Sequence, residues 1–229
     1  MAHPPLLIAA ASRPYPGETE NGDAWTVEWQ AGGCRVALID GLGHGPAAAA
    51  AARAAVATLA ARPDAPPDEA LRLCHEALRT TRGAAISIVR VAADRLTFAG
   101  AGNVDALLWQ ADHGRRLLPA RGIVGAVLPT LRPVALDLAP GWLLLLHTDG
   151  VSARLDFEAL VPTARDPQDL ADTALAAWAR ATDDATVLVA RPAPEHGRGT
   201  RGGPAVERRE PGSEGSVEEK RGIKRSCRG

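Results

Sequence analysis

Apolar and polar positions along the first 194 residues follow two periods in turn. Leu6 to Ser12 is a short apolar run, Trp25, Val27 and Trp29 alternate with polar neighbours, and Arg35 to Ile39 follows the turn pair Gly32 and Gly33. Alternation and short apolar runs bounded by glycine predict strands, joined in part by hairpins. The period then lengthens. Pro46 stands where a first helical residue is allowed, and Ala47 to Ala61 holds the best helix former at most positions. Pro67, Asp68 and Glu69 open a second helix on which Leu71, Cys74 and Leu78 form one apolar stripe. Strand patterns resume in AAISIVRVA, RLTFAGAGN, VDALLWQ, PVALDLA and WLLLLHT, with AADR after Val91 and ADHG after Gln110 as hairpin-style connections. A last helix over Pro167 to Arg180 leads into the strand of DDATVLVAR.

Consecutive strands of this kind mean antiparallel sheet, whereas a doubly wound fold would alternate strand and helix. The expected fold is therefore α+β: an αββα sandwich of two antiparallel sheets flanked by helices.

Composition narrows the setting. The chain has 229 residues, 46% of them apolar, enough for one domain with a substantial core. No run of 18 uninterrupted apolar residues occurs, and the N-terminus lacks the basic and apolar regions of a secretory signal, so a cytoplasmic protein with no membrane partner is expected. Cys34, Cys74 and Cys227 are far apart and form no CxxC pair, which suggests neither a disulfide framework nor a zinc knuckle. Residues 195–229 hold nine Arg or Lys against six Glu, which leaves 17 basic and 21 acidic residues in the body. A mildly acidic body does not recommend nucleic acid as a partner. The tail has almost no large apolar residue to offset the entropy of ordering, so residues 1–194 are expected to form the folded domain and 195–229 a disordered charged tail.

Five acids stand where the chain enters or leaves a strand: Asp23 in NGD, Asp40 in DGLGHG, Asp149 in TDGV, and Asp183 with Asp184 in DDAT. Asp40 and Asp149 each emerge from an apolar run, and each is followed by a glycine that lets the backbone approach something closely. In a sandwich these strand ends gather at one edge. Two carboxylates ~4 Å apart repel by about 4 kcal/mol at an effective dielectric near 20, so something positive must offset them. Asp oxygens, a Gly carbonyl and water make the hard-oxygen set that Mg²⁺ or Mn²⁺ prefers, and the scarcity of histidine argues against zinc. Taken singly, each motif is weak, since DG after a strand is usually a turn and DD before one is usually solvated. GLGHG before Pro46 also admits a phosphate cradle at a helix N-terminus, but without GxGxxG, a P-loop Lys or a βαβ context. All of these acidic motifs in one chain, in this order, lift the metal reading.

On these residues the chain resembles the PPM-type metal-dependent serine/threonine phosphatases, specifically the SpoIIE-like branch and its stand-alone RsbX-like enzymes. The resemblance runs from about Leu6 to Arg191 and is carried by NGD at 21–23, DGLGHG at 40–45, RGAAISIVRV at 82–91, AGAGN at 99–103, GIVG at 122–125, TDGV at 148–151 and DDATVLV at 183–189. It implies a site with two Mn²⁺ or Mg²⁺ ions. By carry-over Asp40 bridges both ions, Asp149 and Asp183 bind the first, and the Gly41 carbonyl with Asp23 serves the second. Asp40 and Asp149 are then the catalytic carboxylates, with Asp184, Gly150 and His44 around the ligands. The implied reaction is attack of a two-metal-activated water on a phosphoserine or phosphothreonine, and the implied substrate a STAS-domain antagonist or stressosome component of a bacterial partner-switching system. The chain departs from eukaryotic-type relatives in two places. Leu42 occupies the position of their candidate general-acid His, which leaves His44 as a weak candidate for that role and better read as a loop or capping histidine. Residues 18–22 read ETENG, without their phosphate-binding Arg, and Arg13, the nearest upstream cation, is not assigned. His147 is expected to be a packed or hydrogen-bonded histidine. Two other classes stay open: a catalytically silent phosphoprotein-binding module of the same fold, and a hydrolase of small phosphate esters, against which the scarcity of aromatics weighs.

Overall fold

A computed structural model describes residues 6–30 and 32–194, together with the backbone of Lys224–Arg225. Among these residues the strands are β1 (Leu6–Arg13), β2 (Asp23–Gln30), β3 (Gly33–Gly41), β4 (Ala84–Ala92), β5 (Arg95–Ala101), β6 (Asp105–Gln110), β7 (His113–Leu117), β8 (Val134–Asp137), β9 (Leu143–His147) and β10 (Ala185–Pro192). The helices are α1 (Gly45–Ala61), α2 (Pro67–Leu78), the single turn α3 (Phe157–Leu160) and α4 (Pro167–Trp178). One sheet runs β2-β3-β4-β5-β8 and the other β1-β10-β9-β6-β7, all antiparallel. A two-residue strand, β11 (Lys224–Arg225), pairs with Leu7 and Ile8 at the β1 edge; the rest of the expected tail lies outside the described residues.

Strand parity explains why the apolar runs are nearly continuous. Along β3, Val36 and Leu38 enter the core between the sheets, while Ala37 and Ile39 enter a second core under α1 and α2. Along β9, Leu144 and Leu146 point between the sheets, and Leu143 and Leu145 pack under α3 and α4. Each strand is thus buried on both faces, and each fully buried Leu contributes about 1.5–3 kcal/mol. The result is four layers, helix–sheet–sheet–helix. The alanines of α1 suit this arrangement: Ala48, Ala51, Ala52 and Ala55 are buried against the sheet, where larger side chains would hold the helix off.

The structure differs from the sequence expectation in three places. The turn ADHG begins an additional strand, β7, whose residues are exposed except Leu117. Ala111 and Asp112 both have positive φ, at 50° and 61°, the geometry of a two-residue hairpin turn of the primed type. The short helix α3 was not expected either; its cap is Asp156, which accepts from the Ala159 N–H at 3.0 Å. The final helix ends at Trp178, two residues short of Arg180. Trp178 O accepts from Ser152 N–H and Arg180 N–H donates to Gly150 O, so these residues leave the helix to brace the segment after Asp149. Cys34 and Cys74 are free and buried as expected, and burial pushes both thiols up to about 12.

Candidate metal centre

Sheet register brings the first two acids together. Asp23 opens β2 and Asp40 is the last residue but one of β3, and the two are direct cross-strand partners. Both share the parity of residues that face the inter-sheet core, Trp25 and Val27 on β2, Val36 and Leu38 on β3. Two carboxylates therefore stand side by side at the mouth of the cleft between the sheets, an arrangement that destabilises unless compensated. The other sheet supplies the rest, because β9 ends one residue before Thr148 and Asp149, and β10 starts just after Asp183 and Asp184.

The sheets are tied across this cleft by hydroxyls. Thr148 Oγ1 donates to Asp23 Oδ2 at 2.8 Å and accepts from the Thr186 N–H at 3.0 Å. Ser12 Oγ lies 2.6 Å from Thr186 Oγ1 and accepts from Asn21 Nδ2 at 2.7 Å, while Asn21 Oδ1 accepts from the Asp23 N–H at 2.9 Å. Asp184 Oδ1 accepts from the Tyr15 N–H at 2.8 Å, and Asp149 Oδ2 accepts a short bond from Asn103 Nδ2. One oxygen of each carboxylate is thereby oriented. The opposite oxygens, Asp23 Oδ1 and Asp184 Oδ2, are buried without a partner among the described residues.

Electrostatics reports the same crowding. Burial, then the charges of Asp23, Asp149, Asp183 and Asp184, push Asp40 up to about 9. Asp23 rises to about 7, chiefly from burial, with Thr148 and Thr186 opposing and Asp184 and Asp149 adding to the shift. Asp183, more exposed, is also raised, by desolvation first and by Asp149 next. Among the described residues no three His, Cys, Asp or Glu side chains already form a finished chelate. What the fold assembles is a group of mutually repelling carboxylates with unpartnered oxygens, a donor set that fits a hard divalent cation.

Glycines make the close approaches. A Cβ on Gly41 would lie 2.2 Å from Ala48 O, and one on Gly150 1.7 Å from Asp184 O, so α1 and the DDAT segment press directly on the backbone beside Asp40 and Asp149. His44 is the N-cap residue of α1; its ring stacks on Tyr15 with centroids 4.2 Å apart, and Nδ1 lies 2.8 Å from Glu18 Oε1. His147 is buried, with Nδ1 on its neighbour's Thr148 O at 3.0 Å, and burial lowers its pKa.

All five acids expected from the sequence thus reach one edge, and Gly41, Gly150 and His44 lie around it. Thr148, Asn103 and Tyr15 carry orienting bonds that sequence reasoning did not assign. Asn103 closes the AGAGN segment and Thr148 belongs to TDGV, so both lay inside recognisable motifs; Tyr15 contributes only a backbone N–H, which no side-chain pattern marks.

Comparison with known proteins places this fold in a class. The family described as "Stage II sporulation protein E (SpoIIE)" matches residues 30–193. A chain from a structure of the bacterial stressosome, described as a modular system adapted to control secondary messenger signaling, is 32% identical with a TM-score of 0.77, covering 81% of this chain and 99% of that one. RsbX in complex with magnesium has a TM-score of 0.75 at 18% identity, covering 82% and 95%. The catalytic domain of the serine threonine protein phosphatase PstP, in complex with two manganese ions, has a TM-score of 0.65 at 19% identity, covering 82% and 98%. No curated protein sequence matches. The two sandwiched sheets are those of a PPM, or PP2C-type, phosphatase domain. Within that class the chain belongs to the SpoIIE family. Among the described residues no helix is long and apolar enough to cross a membrane.

Proposed function

We propose that the chain is a Mn²⁺- or Mg²⁺-dependent serine/threonine protein phosphatase, with residues 1–194 as its catalytic domain and 195–229 as a charged extension. The observation that carries the reading is the cross-strand pair Asp23 and Asp40, joined at one cleft mouth by Asp149, Asp183 and Asp184 with two buried oxygens left unpartnered. Asp40 stands centrally, charge-coupled to all four other acids, which suits a carboxylate shared by two ions. Asp149 and Asp183 would hold one ion, and Asp23 with the Gly41 carbonyl the other.

The residues of the chain do the positioning. Thr148 fixes the Asp23 carboxylate, Asn103 that of Asp149, and the Tyr15 N–H that of Asp184. Holding one oxygen of each leaves the second free to bind, and the energy of assembling like charges is spent during folding. Divalent ions bound here would neutralise phosphoryl charge and make water acidic enough to ionise near neutral pH. Burial and the neighbouring carboxylates favour the protonated form of Asp40 in the bare chain, and a bound cation would favour loss of that proton. His44 lies on the same rim, oriented by Glu18 and Tyr15, and stays the candidate for a proton on the leaving oxygen.

The 32% identity to a stressosome-associated chain supports a substrate among phosphorylated STAS-domain antagonists or stressosome components of a partner-switching system. Hydrolysis of p-nitrophenyl phosphate by the wild type and Asp40→Asn, with Mn²⁺ and then with EDTA, tests the chemistry. Turnover that requires the ion and disappears in the variant supports the reading. A folded wild type with no turnover under any ion overturns it in favour of a silent binding module.

A further inference from the structure

We propose that Arg82 binds the phosphate group of the substrate, as the cation of an otherwise acidic rim; this rests on the phosphatase reading above. Arg82 sits in the turn between α2 and β4, and the turn is anchored on three sides. Thr81 Oγ1 donates to Leu78 O at 2.8 Å and accepts from the Gly83 N–H at 3.0 Å. Gly83 has φ +83°, and a Cβ there would meet Val124 O and Ile123 Cγ2, each at 2.7 Å. Gly83 O accepts from the Leu42 N–H at 3.0 Å, which staples the turn to the loop that follows Asp40.

The side chain continues over that loop. Gly43 has φ +87°, and a Cβ built on it would lie 2.9 Å from Arg82 Nη1, so the guanidinium rests on the bare backbone three residues beyond Asp40. Arg82 is exposed, and it makes no hydrogen bond or ion pair with any described residue. Some exposed arginines of the chain are taken up by carboxylates. Arg53 pairs with Glu20 at 2.7 Å, Arg72 with Asp68 at 2.8 Å and Arg116 with Asp105 at 2.6 Å. Arg82 lies over the loop that follows Asp40 and is paired with no described carboxylate, so its donors are open to an incoming anion. The flat guanidinium fork suits two oxygens of one phosphoryl group, and a dianion approaching this edge needs such a cation.

Gly43 belongs to the same device, because any side chain there would push the guanidinium from its seat. Arg82 reads the phosphoryl group rather than the residue that carries it, so the effect of its loss is shared by p-nitrophenyl phosphate and a phosphoprotein.

The test uses the full-length chain loaded with Mg²⁺: titration calorimetry of inorganic phosphate, and KM and kcat for p-nitrophenyl phosphate, on the wild type, Arg82→Ala, Arg82→Lys and Arg79→Ala. Arg79 is a nearby surface arginine paired with Glu76, and it controls for simple loss of one positive charge. Arg82→Ala is expected to weaken phosphate binding and raise KM about tenfold or more, the range of one charged hydrogen bond, with Mg²⁺ affinity unchanged. Arg82→Lys recovers part of this, and Arg79→Ala matches the wild type. Equal phosphate affinity and KM in Arg82→Ala and Arg79→Ala would overturn the role of Arg82 while leaving the phosphatase reading intact. Phosphate binding that depends on Arg82 in a protein without turnover would do the reverse. A wild type that neither binds phosphate nor turns over removes both.

Discussion

Strand β3 carries a buried cation near one end and a half-buried carboxylate near the other, and the two are treated in opposite ways. Arg35 is fully buried under α1. Its Nε reaches Glu28 at 3.1 Å, Nη1 donates to Arg62 O and Ala65 O at 2.9 and 3.2 Å, and Nη2 donates to Leu59 O at 2.6 Å. The chain has satisfied that cation completely and uses it to tie off carbonyls at the C-terminal end of α1, where the helix dipole also favours positive charge. Asp40, five residues on, receives the opposite: burial and the charges of four more carboxylates. A buried charge that the fold compensates is architecture; one that the fold aggravates is held ready for something from outside.

The contrast is broken or sharpened by substitution. The largest effect is on activity: Asp40→Asn is expected to lower Mn²⁺-dependent p-nitrophenyl phosphate turnover by about 10³-fold or more, from several kcal/mol of lost charge stabilisation. The same variant should keep wild-type stability within about 1 kcal/mol, or gain some, in urea unfolding of the metal-free protein. Arg35→Met reverses the pattern. It strands Glu28 and three carbonyls, and urea unfolding should show a loss of about 3–5 kcal/mol. Equal destabilisation by the two variants would end the distinction drawn here.

Gly150→Ala comes next, since its Cβ would fall 1.7 Å from Asp184 O; a loss of about 1–3 kcal/mol by thermal unfolding is expected, with weakened Mn²⁺ binding. The pH response is subtler. Asp40 at about 9 and Asp23 at about 7 both lie above their unfolded values, so the folded state holds protons that the unfolded state has already lost. Stability of the metal-free protein should therefore fall as pH rises from about 4 towards 9, then level off, and saturating Mn²⁺ should flatten that slope near neutrality. A metal-free protein that gains stability over this window would contradict the buried, mutually repelling site. Smallest of all, His44→Gln removes a half-exposed contact with Glu18 and the stack on Tyr15, and should change stability by about 1 kcal/mol or less.

What the sequence revealed, and what it hid, follows the same physics. The acids were legible because each sits at a sharp boundary, an apolar strand on one side and glycine or a turn on the other. Strands such as β4 and β9 were legible because both faces are buried. β7 was hidden: HGRRL is exposed except for its last residue, so nothing in it alternates, and its turn is made by Ala111 and Asp112 rather than by Asn-Gly. Arg35 looked like an ordinary strand residue, since burial of an arginine depends on carbonyls 24 to 30 residues away. The partnership of Thr148 with Asp23 spans 125 residues and that of Tyr15 with Asp184 spans 169, and no local pattern encodes either. Arg82 was quoted within a motif, yet only the crossing of its turn over Gly43 gives it a place.

The position of β10 sets an order of assembly. It lies between β1 and β9, joining a strand near the start of the domain to one more than 130 residues later, and it arrives behind Asp183 and Asp184. A nascent chain that has emerged as far as Asp149 holds three of the five acids but lacks the strand that closes the sheet around them. The proposed cation site is thus complete only once this last central strand has been synthesised and inserted.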